Sequence, residues 1–203
     1  MSLLRWIPTF LAFPLGGLLA MLAVGSVTDP LTALAAGAIA GAILGGAQWL
    51  ALGRAVDRRW LVATLLAFGG GAALSAALFG PPAALAAAAL TGLVTGLLVG
   101  GAQAIALGMR LRVGALWAAV VSLSWAAAWA ITSFVIVDLD RGHVVFGSSG
   151  AIVATVLTGL ALRRILGPRP KLRDAHLSGA QELASKTQPP RQSLTNDLAA
   201  TEA

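Results

Sequence analysis

The sequence predicts an all-α polytopic membrane protein. It reads as six transmembrane helices, built as three repeated helical hairpins in a pseudo-threefold bundle, with a disordered C-terminal tail. Three observations predict this. Hydrophobic residues make up 58% of the 203 residues and charged residues only 11%, against about 25% charge in an average soluble domain. The charges are bunched into short breaks between apolar runs, each near the ~20 residues a helix needs to cross a bilayer. Finally, Gly-Gly-Ala-Gln-Trp-Leu-Ala-Leu-Gly at 45–53 returns, little changed, as Gly-Gly-Ala-Gln-Ala-Ile-Ala-Leu-Gly at 100–108.

The first span runs over Arg5–Val27. Its apolar run exceeds the about 7–15 residues of a signal-peptide core and no small-x-small cleavage site follows, so it reads as a retained helix. Pro8 and Pro14 are expected to bend it, with neighbouring helices compensating the lost hydrogen bonds. The second span, Thr32–Leu52, follows the break Thr28-Asp29-Pro30, and the third, Trp60–Leu78, follows the basic stretch from Arg54 to Arg59. Gly80-Pro81-Pro82 precedes the fourth, Ala83–Leu107. Arg110-Leu111-Arg112 precedes the fifth, Val113–Val137, and Asp138 to His143 precede the sixth, Val144–Leu166. Proline and glycine punctuate these breaks where a helix must stop and reverse. Breaks this short make consecutive helices antiparallel neighbours. The domain plan is a transmembrane region over 1–166, with hairpins at about 5–52, 60–107 and 113–166, and a cytoplasmic tail over 167–203. Proline, serine, threonine, glutamine and charge enrich that tail, with no sustained apolar face, so it reads as mostly disordered.

Orientation follows from the arginines and lysines near span ends. One side receives Arg5, Arg54, Arg58, Arg59, Arg110, Arg112, Arg163, Arg164, Arg169, Lys171 and Arg173; the other receives Arg141 beside Asp29, Asp138 and Asp140. Both termini are therefore expected in the cytoplasm, and the net charge of +6 is a topology signal that does not point to nucleic acid. The basic run Arg163, Arg164, Arg169, Lys171 and Arg173 is expected to lie against anionic headgroups.

The second copy of the motif lies 55 positions after the first, from Gln48 to Gln103. At that offset Gly37, Gly41 and Gly45 meet Gly92, Gly96 and Gly100. A further step reaches the sixth span in a degenerate form, with Gly147 at the place of Gly37 and Thr158 at the place of the glutamine. A two-helix unit returns the chain to its starting side, so the copies share an orientation and any symmetry axis runs along the membrane normal. On a helix, Gly37, Gly41, Gly45 and Gln48 share one face, as do Gly92, Gly96, Gly100 and Gln103. Glycine at this spacing lets another helix approach closely. The glutamines then either hydrogen-bond across a helix interface, the reading the glycines favour, or face a polar passage together with Thr158.

Candidate chemistry is sparse. Cysteine is absent, which excludes disulfides, thiol catalysis, thiolate-bound zinc and iron–sulfur clusters. No charged residue falls within the bodies of the six spans, which counts against proton relay. The cluster Asp138, Asp140 and His143 reads as a solvated loop, since a metal needs two or three converging ligands. Gly147-Ser148-Ser149-Gly150 has no base to activate a serine. Trp6 and Trp60, at span starts, fit an aromatic belt, while Trp125 and Trp129, four apart, would make an outward ridge facing lipid or a partner.

Gly-x-x-x-Gly-x-x-x-Gly-Gly-Ala-Gln-Trp-x-x-Leu followed by basic residues, repeated along a small multi-span chain, resembles a group of uncharacterised bacterial multi-pass membrane proteins with repeated Gly…Gln-Trp motifs. The match is best over spans two and three and looser over four and five, where Ala104 replaces the tryptophan. The resemblance implies a bacterial inner-membrane architecture. The expected role is a non-enzymatic accessory or scaffold component of a membrane process, with no catalytic residue, metal or cofactor. Its expected partners are the lipid bilayer and a membrane protein or second copy. The alternative is a small transporter or channel whose passage is lined by Gln48, Gln103 and Thr158.

Overall fold

A computed structural model describes residues 3–80, 84–135 and 147–167 of the chain. The chain divides into two units, Met1–Gly167 and Pro168–Ala203; the second, with the predicted tail, lies outside the described residues, as does the Asp138 to His143 cluster.

All regular structure among the described residues is helical. The first helix, α1, covers Leu3–Val24. It is α-helical over Leu3–Trp6 and Ala12–Val24 but tightens to a 3-10 turn over Ile7–Leu11. Pro8 sits at the start of that turn and Pro14 in the first turn of the segment after it, where no intrahelical N–H bond is lost. The observed departure from regular α-helix is the 3-10 turn that Pro8 begins.

Helix α2 spans Pro30–Leu52 and starts two residues earlier than its apolar pattern suggests. Asp29 accepts from the backbone amides of Leu31 and Thr32 while the Thr32 hydroxyl caps back, and Pro30 fits the first helical position. Helix α3, Arg58–Phe79, is likewise capped by Asp57, which accepts from the amide of Arg59. Helices α4, α5 and α6 follow over Leu85–Ala106, Leu111–Val135 and Ser148–Leu166. The capped first turns, which hydropathy does not see, account for the earlier starts of α2 and α3. Gly25 and Gly80, closing α1 and α3, and Gly53 and Gly108, just past α2 and α4, all have positive φ, and each pair is 55 positions apart.

Five of these helices, α1 to α5, are long and apolar enough to cross a membrane. Helix α6 is shorter, with 19 residues, two serines at its start and Arg163 and Arg164 in its last turn. Consecutive helices pack side by side, and α6 also lies against the first turns of α1.

Burial is sorted in an unusual sense. Large aliphatic side chains point outward on every helix, with Ile105 82% exposed and Leu111 88% exposed. Inside lie alanine, glycine, aromatic rings and hydroxyl or amide side chains, including Thr64, Ser75, Thr95, Gln103, Thr155 and Thr158. A soluble monomer rarely exposes contiguous apolar surface on this scale. A lipid solvent favours the arrangement, because lipid tails match leucine while the polar groups find partners between helices.

Candidate functional site, a buried glutamine and tryptophan layer

The glycine stripes lie on helix contacts. A Cβ built on Gly37 would sit 2.8 Å from the Ala72 Cβ and 3.0 Å from the Gly69 Cα; on Gly41 it would sit 2.8 Å from the Phe68 Cβ. At Gly45 the nearest atom is the Thr64 Cβ at 3.0 Å. These three seat α2 on α3. Gly92, Gly96 and Gly100 seat α4 on α5 in the same way, meeting the Trp125 carbonyl oxygen at 2.5 Å, the Ser122 Cα at 2.8 Å and the Ala118 Cα at 2.7 Å. By contrast Gly46 and Gly101, the second glycine of each pair, meet nothing within 4 Å. In α6 the close approaches are at Gly150, against the Ala128 carbonyl and the Thr132 hydroxyl, and at Gly159, against the Trp6 ring. Gly147 is not on a contact stripe at all: it is the N-cap of α6, and its amide donates to the Thr132 hydroxyl at 3.0 Å.

One turn from the end of each seam stand the two glutamines, and they meet. Gln103 Nε2 donates to Gln48 Oε1 at 3.2 Å and to the Thr64 hydroxyl at 3.0 Å. Trp117 Nε1 donates to Gln103 Oε1 at 3.2 Å, and Trp60 Nε1 donates to Gln48 Oε1 at 3.3 Å. Thr64 in turn donates to the Trp60 carbonyl at 2.8 Å. All five residues are buried. The layer joins α2, α3, α4 and α5 with hydrogen bonds only, since no member carries an ionisable group. Where such groups are desolvated together, each satisfied bond strengthens its neighbours and each missing one is costly.

The indole nitrogens orient the amides. Each can only donate, so the atom it meets must be the amide oxygen, and both glutamines are locked in one flip state. Trp6 does the equivalent in α1: its Nε1 donates to the Thr155 carbonyl of α6 at 2.9 Å. Thr158 does not join the layer. Its hydroxyl donates to the Ala154 carbonyl of its own helix at 2.7 Å, the usual fate of a membrane-helix hydroxyl.

Above the glutamines three aromatic rings converge. Phe13 from α1 meets Trp125 from α5 edge-on, with centroids 5.6 Å apart, and Phe68 from α3 meets the same ring at 5.0 Å. All three are buried, and both geometries are favourable for aromatic pairs. Further seams are tied by Ser75 and Thr95 at 3.3 Å, and by Ser122, which donates to the Leu93 carbonyl at 2.6 Å.

Two expectations are overturned. Trp6 and Trp60 are not interfacial belt residues, since each is 1% exposed and donates inward. Trp125 and Trp129 form no outward ridge; both are buried, because Gly92 opens room for them against α4. Arg163 and Arg164 are exposed on the last turn of α6, while Arg169, Lys171 and Arg173 lie outside the described residues.

Sequence reasoning also passed over partners that were detectable. Trp60 follows Gln48 by 12 residues and Trp117 follows Gln103 by 14, so each motif carries its own amide anchor at the start of the next helix. Phe13 and Phe68 are one repeat period apart. Among the described residues no group of three His, Cys, Asp or Glu side chains could hold a metal. Comparison with protein-family models, with curated proteins and with solved structures finds no match for this chain.

Proposed function

We propose that the chain is a non-enzymatic, six-span protein of a bacterial inner membrane, a compact bundle that serves as an accessory or scaffold component of a membrane process. The observation that carries this reading is how the buried polar groups are spent. Gln103 uses both donor hydrogens and its oxygen on Gln48, Thr64 and Trp117, and the bundle interior beside it is filled by Phe13, Phe68 and Trp125. Side chains committed to each other hold helices in register and leave little to perform a reaction.

A pseudo-threefold plan is supported by the recurrence of one device. An even-numbered helix offers small residues and a polar acceptor, and one of the first two turns of an odd-numbered helix brings a tryptophan: Trp60 to α2, Trp117 to α4, Trp6 to α6. Each joins one hairpin to another. A sixth span is supported by the length of α6, whose 19 residues cover about 28 Å at the α-helical rise. The clustering of arginines supports cytoplasmic termini, with Arg163, Arg164, Arg169, Lys171 and Arg173 near anionic lipid. The kinship with bacterial proteins carrying repeated Gly…Gln-Trp motifs stands as part of this proposal.

Purification in a mild detergent tests the role: a scaffold retains a stoichiometric membrane partner or a second copy of itself. A monodisperse single copy, with its tryptophan–glutamine layer intact, would refute it. The second reading, transport along Gln48, Gln103 and Thr158, rests on one observation: among the described residues Gln48 Nε2 has no protein acceptor. The absence of cysteine permits a direct check. Single cysteines at 103 and 158, buried positions that already carry a side chain, stay unlabelled by an impermeant thiol reagent applied to either face if the interior is packed. Labelling of both would move transport ahead.

A further inference from the structure

The orientation of Gln48 is set twice over. Trp60 and Gln103 both donate to its Oε1, at 3.3 and 3.2 Å, and Gln103 is itself fixed by Trp117. Its Nε2 therefore points away from both with two hydrogens to give, and no protein acceptor among the described residues receives either. Gln48 is only 7% exposed. Its nitrogen is not among the fully enclosed side-chain atoms without a partner, which in the described residues are the hydroxyls of Thr9, Thr91 and Ser149. A buried amide donor left without any acceptor is costly, whereas one that a water molecule can reach is satisfied at little expense.

The repeat explains the opening. Gln103 gives a hydrogen to Gln48, and in an ideal threefold layer Gln48 would give one to a third glutamine. The position one period beyond Gln103 holds Thr158, which is shorter and bonded into its own helix. The layer thus has two glutamines where its pattern has three places, and the unpaired donor belongs to the last glutamine in the sequence of bonds. Gln48 lies one turn before the end of α2 at Leu52, with Arg54 just beyond it. Deeper in the bundle the rings of Phe13, Phe68 and Trp125 close around one another.

We propose that Gln48 Nε2 donates to a bound water, making the glutamine layer a hydrated inlet. It opens at the end of the bundle where α2 finishes and ends blind beneath the aromatic trio. The site binds a small, uncharged hydrogen-bond acceptor; it has no charge to hold an ion. This is independent of the scaffold reading, since a blind inlet neither requires nor forbids a partner.

The test uses the intact chain in detergent micelles, labelled with 15N at glutamine side chains. The amide protons of Gln48 should show magnetisation transfer from water and exchange roughly tenfold or more faster than those of Gln103, the factor that one net hydrogen bond protects. The Gln103 protons, held by Gln48 and Thr64, should show no such transfer. Assignment comes from through-bond correlation to the backbone, so no variant needs to fold. Equal protection of the two side chains, with no water transfer at Gln48, would overturn the proposal. In a second arm, Thr158→Gln should slow exchange at Gln48 to the rate at Gln103 by supplying the missing acceptor. Unchanged fast exchange in a folded Thr158→Gln protein would overturn the link to the third repeat.

Discussion

Two glycines nine residues apart on α4 provide the sharpest test of the packing argument, because the same substitution should have opposite effects. Gly92→Ala would place a Cβ 2.5 Å from the Trp125 carbonyl oxygen and 2.7 Å from both the Trp125 carbonyl carbon and the Trp129 Cδ1. Two of those atoms are backbone, so relief requires α4 and α5 to separate. Overpacking of this kind costs about 1–3 kcal/mol, and rigid backbone neighbours put this site near the upper end. Alanine recovers about 0.5–1 kcal/mol of helix preference over glycine, leaving a net loss of about 1–2 kcal/mol. Gly101→Ala meets nothing within 4 Å. It should keep the helix gain alone and stabilise by about 0.5–1 kcal/mol. The pair should therefore differ by roughly 1.5–3 kcal/mol in unfolding free energy, measured by detergent titration of tryptophan fluorescence. Equal stability, or a more stable Gly92→Ala, would show that the glycine spacing does not set the approach of α4 to α5.

Three further outcomes follow from the site. A double-mutant cycle between Gln103→Leu and Trp117→Phe should give a coupling of about 0.6–2 kcal/mol, the range for hydrogen bonds between membrane helices; additivity would remove their bond from the energetics. Trp6→Phe keeps the ring but deletes the donor to the Thr155 carbonyl, so hydrogen exchange should rise in α1 and α6 and leave α3 and α4 unchanged. A uniform rise would mean that this bond does not hold the two ends of the chain locally. Finally, the backbone amide of Thr32, followed by those of Leu31 and the Thr28 and Thr32 hydroxyls, outweighs the opposing effect of desolvation and holds the Asp29 carboxyl below its ordinary pKa. A depressed carboxylate contributes its stability in full above the ordinary value and loses it as pH falls through the lowered one. The protection of the Leu31 and Thr32 amides from exchange, taken relative to the unstructured chain at the same pH, should fall only in that acid range in the native chain, and should be reduced at all pH values in Asp29→Ala.

The helices were legible from composition and breaks because both depend on local chemistry. Apolar runs mark where a backbone can lie in lipid, while Asp29, Asp57 and the glycines at 25, 53, 80 and 108 mark where it turns. The glycine faces were legible for a similar reason: Gly37, Gly41 and Gly45 fall on one side of any α-helix. Tryptophan placement was not. Trp6 and Trp60 have the sequence setting of interfacial residues, and only the neighbour across the seam, a glutamine or a bare carbonyl, draws their N–H groups inward. Trp125 and Trp129 have the spacing of a ridge whichever way the ridge faces. Their burial depends on Gly92, which belongs to another helix.

The sequence by itself determined that this chain is built of long apolar helices, where most of them begin and end, and which faces are small enough for close contact. Those properties follow from hydropathy, capping and helical period, none of which needs a partner to be known. Only the tertiary structure decided that Gln48 and Gln103, 55 residues apart, hydrogen-bond to one another, with Trp60, Trp117 and Thr64 completing the layer. It also decided that Gln48 Nε2 finds no protein acceptor among the described residues while Thr158 turns back on its own helix. A side-chain amide can satisfy itself in many ways, and which way it takes is set by the groups that packing brings within about 3 Å of it.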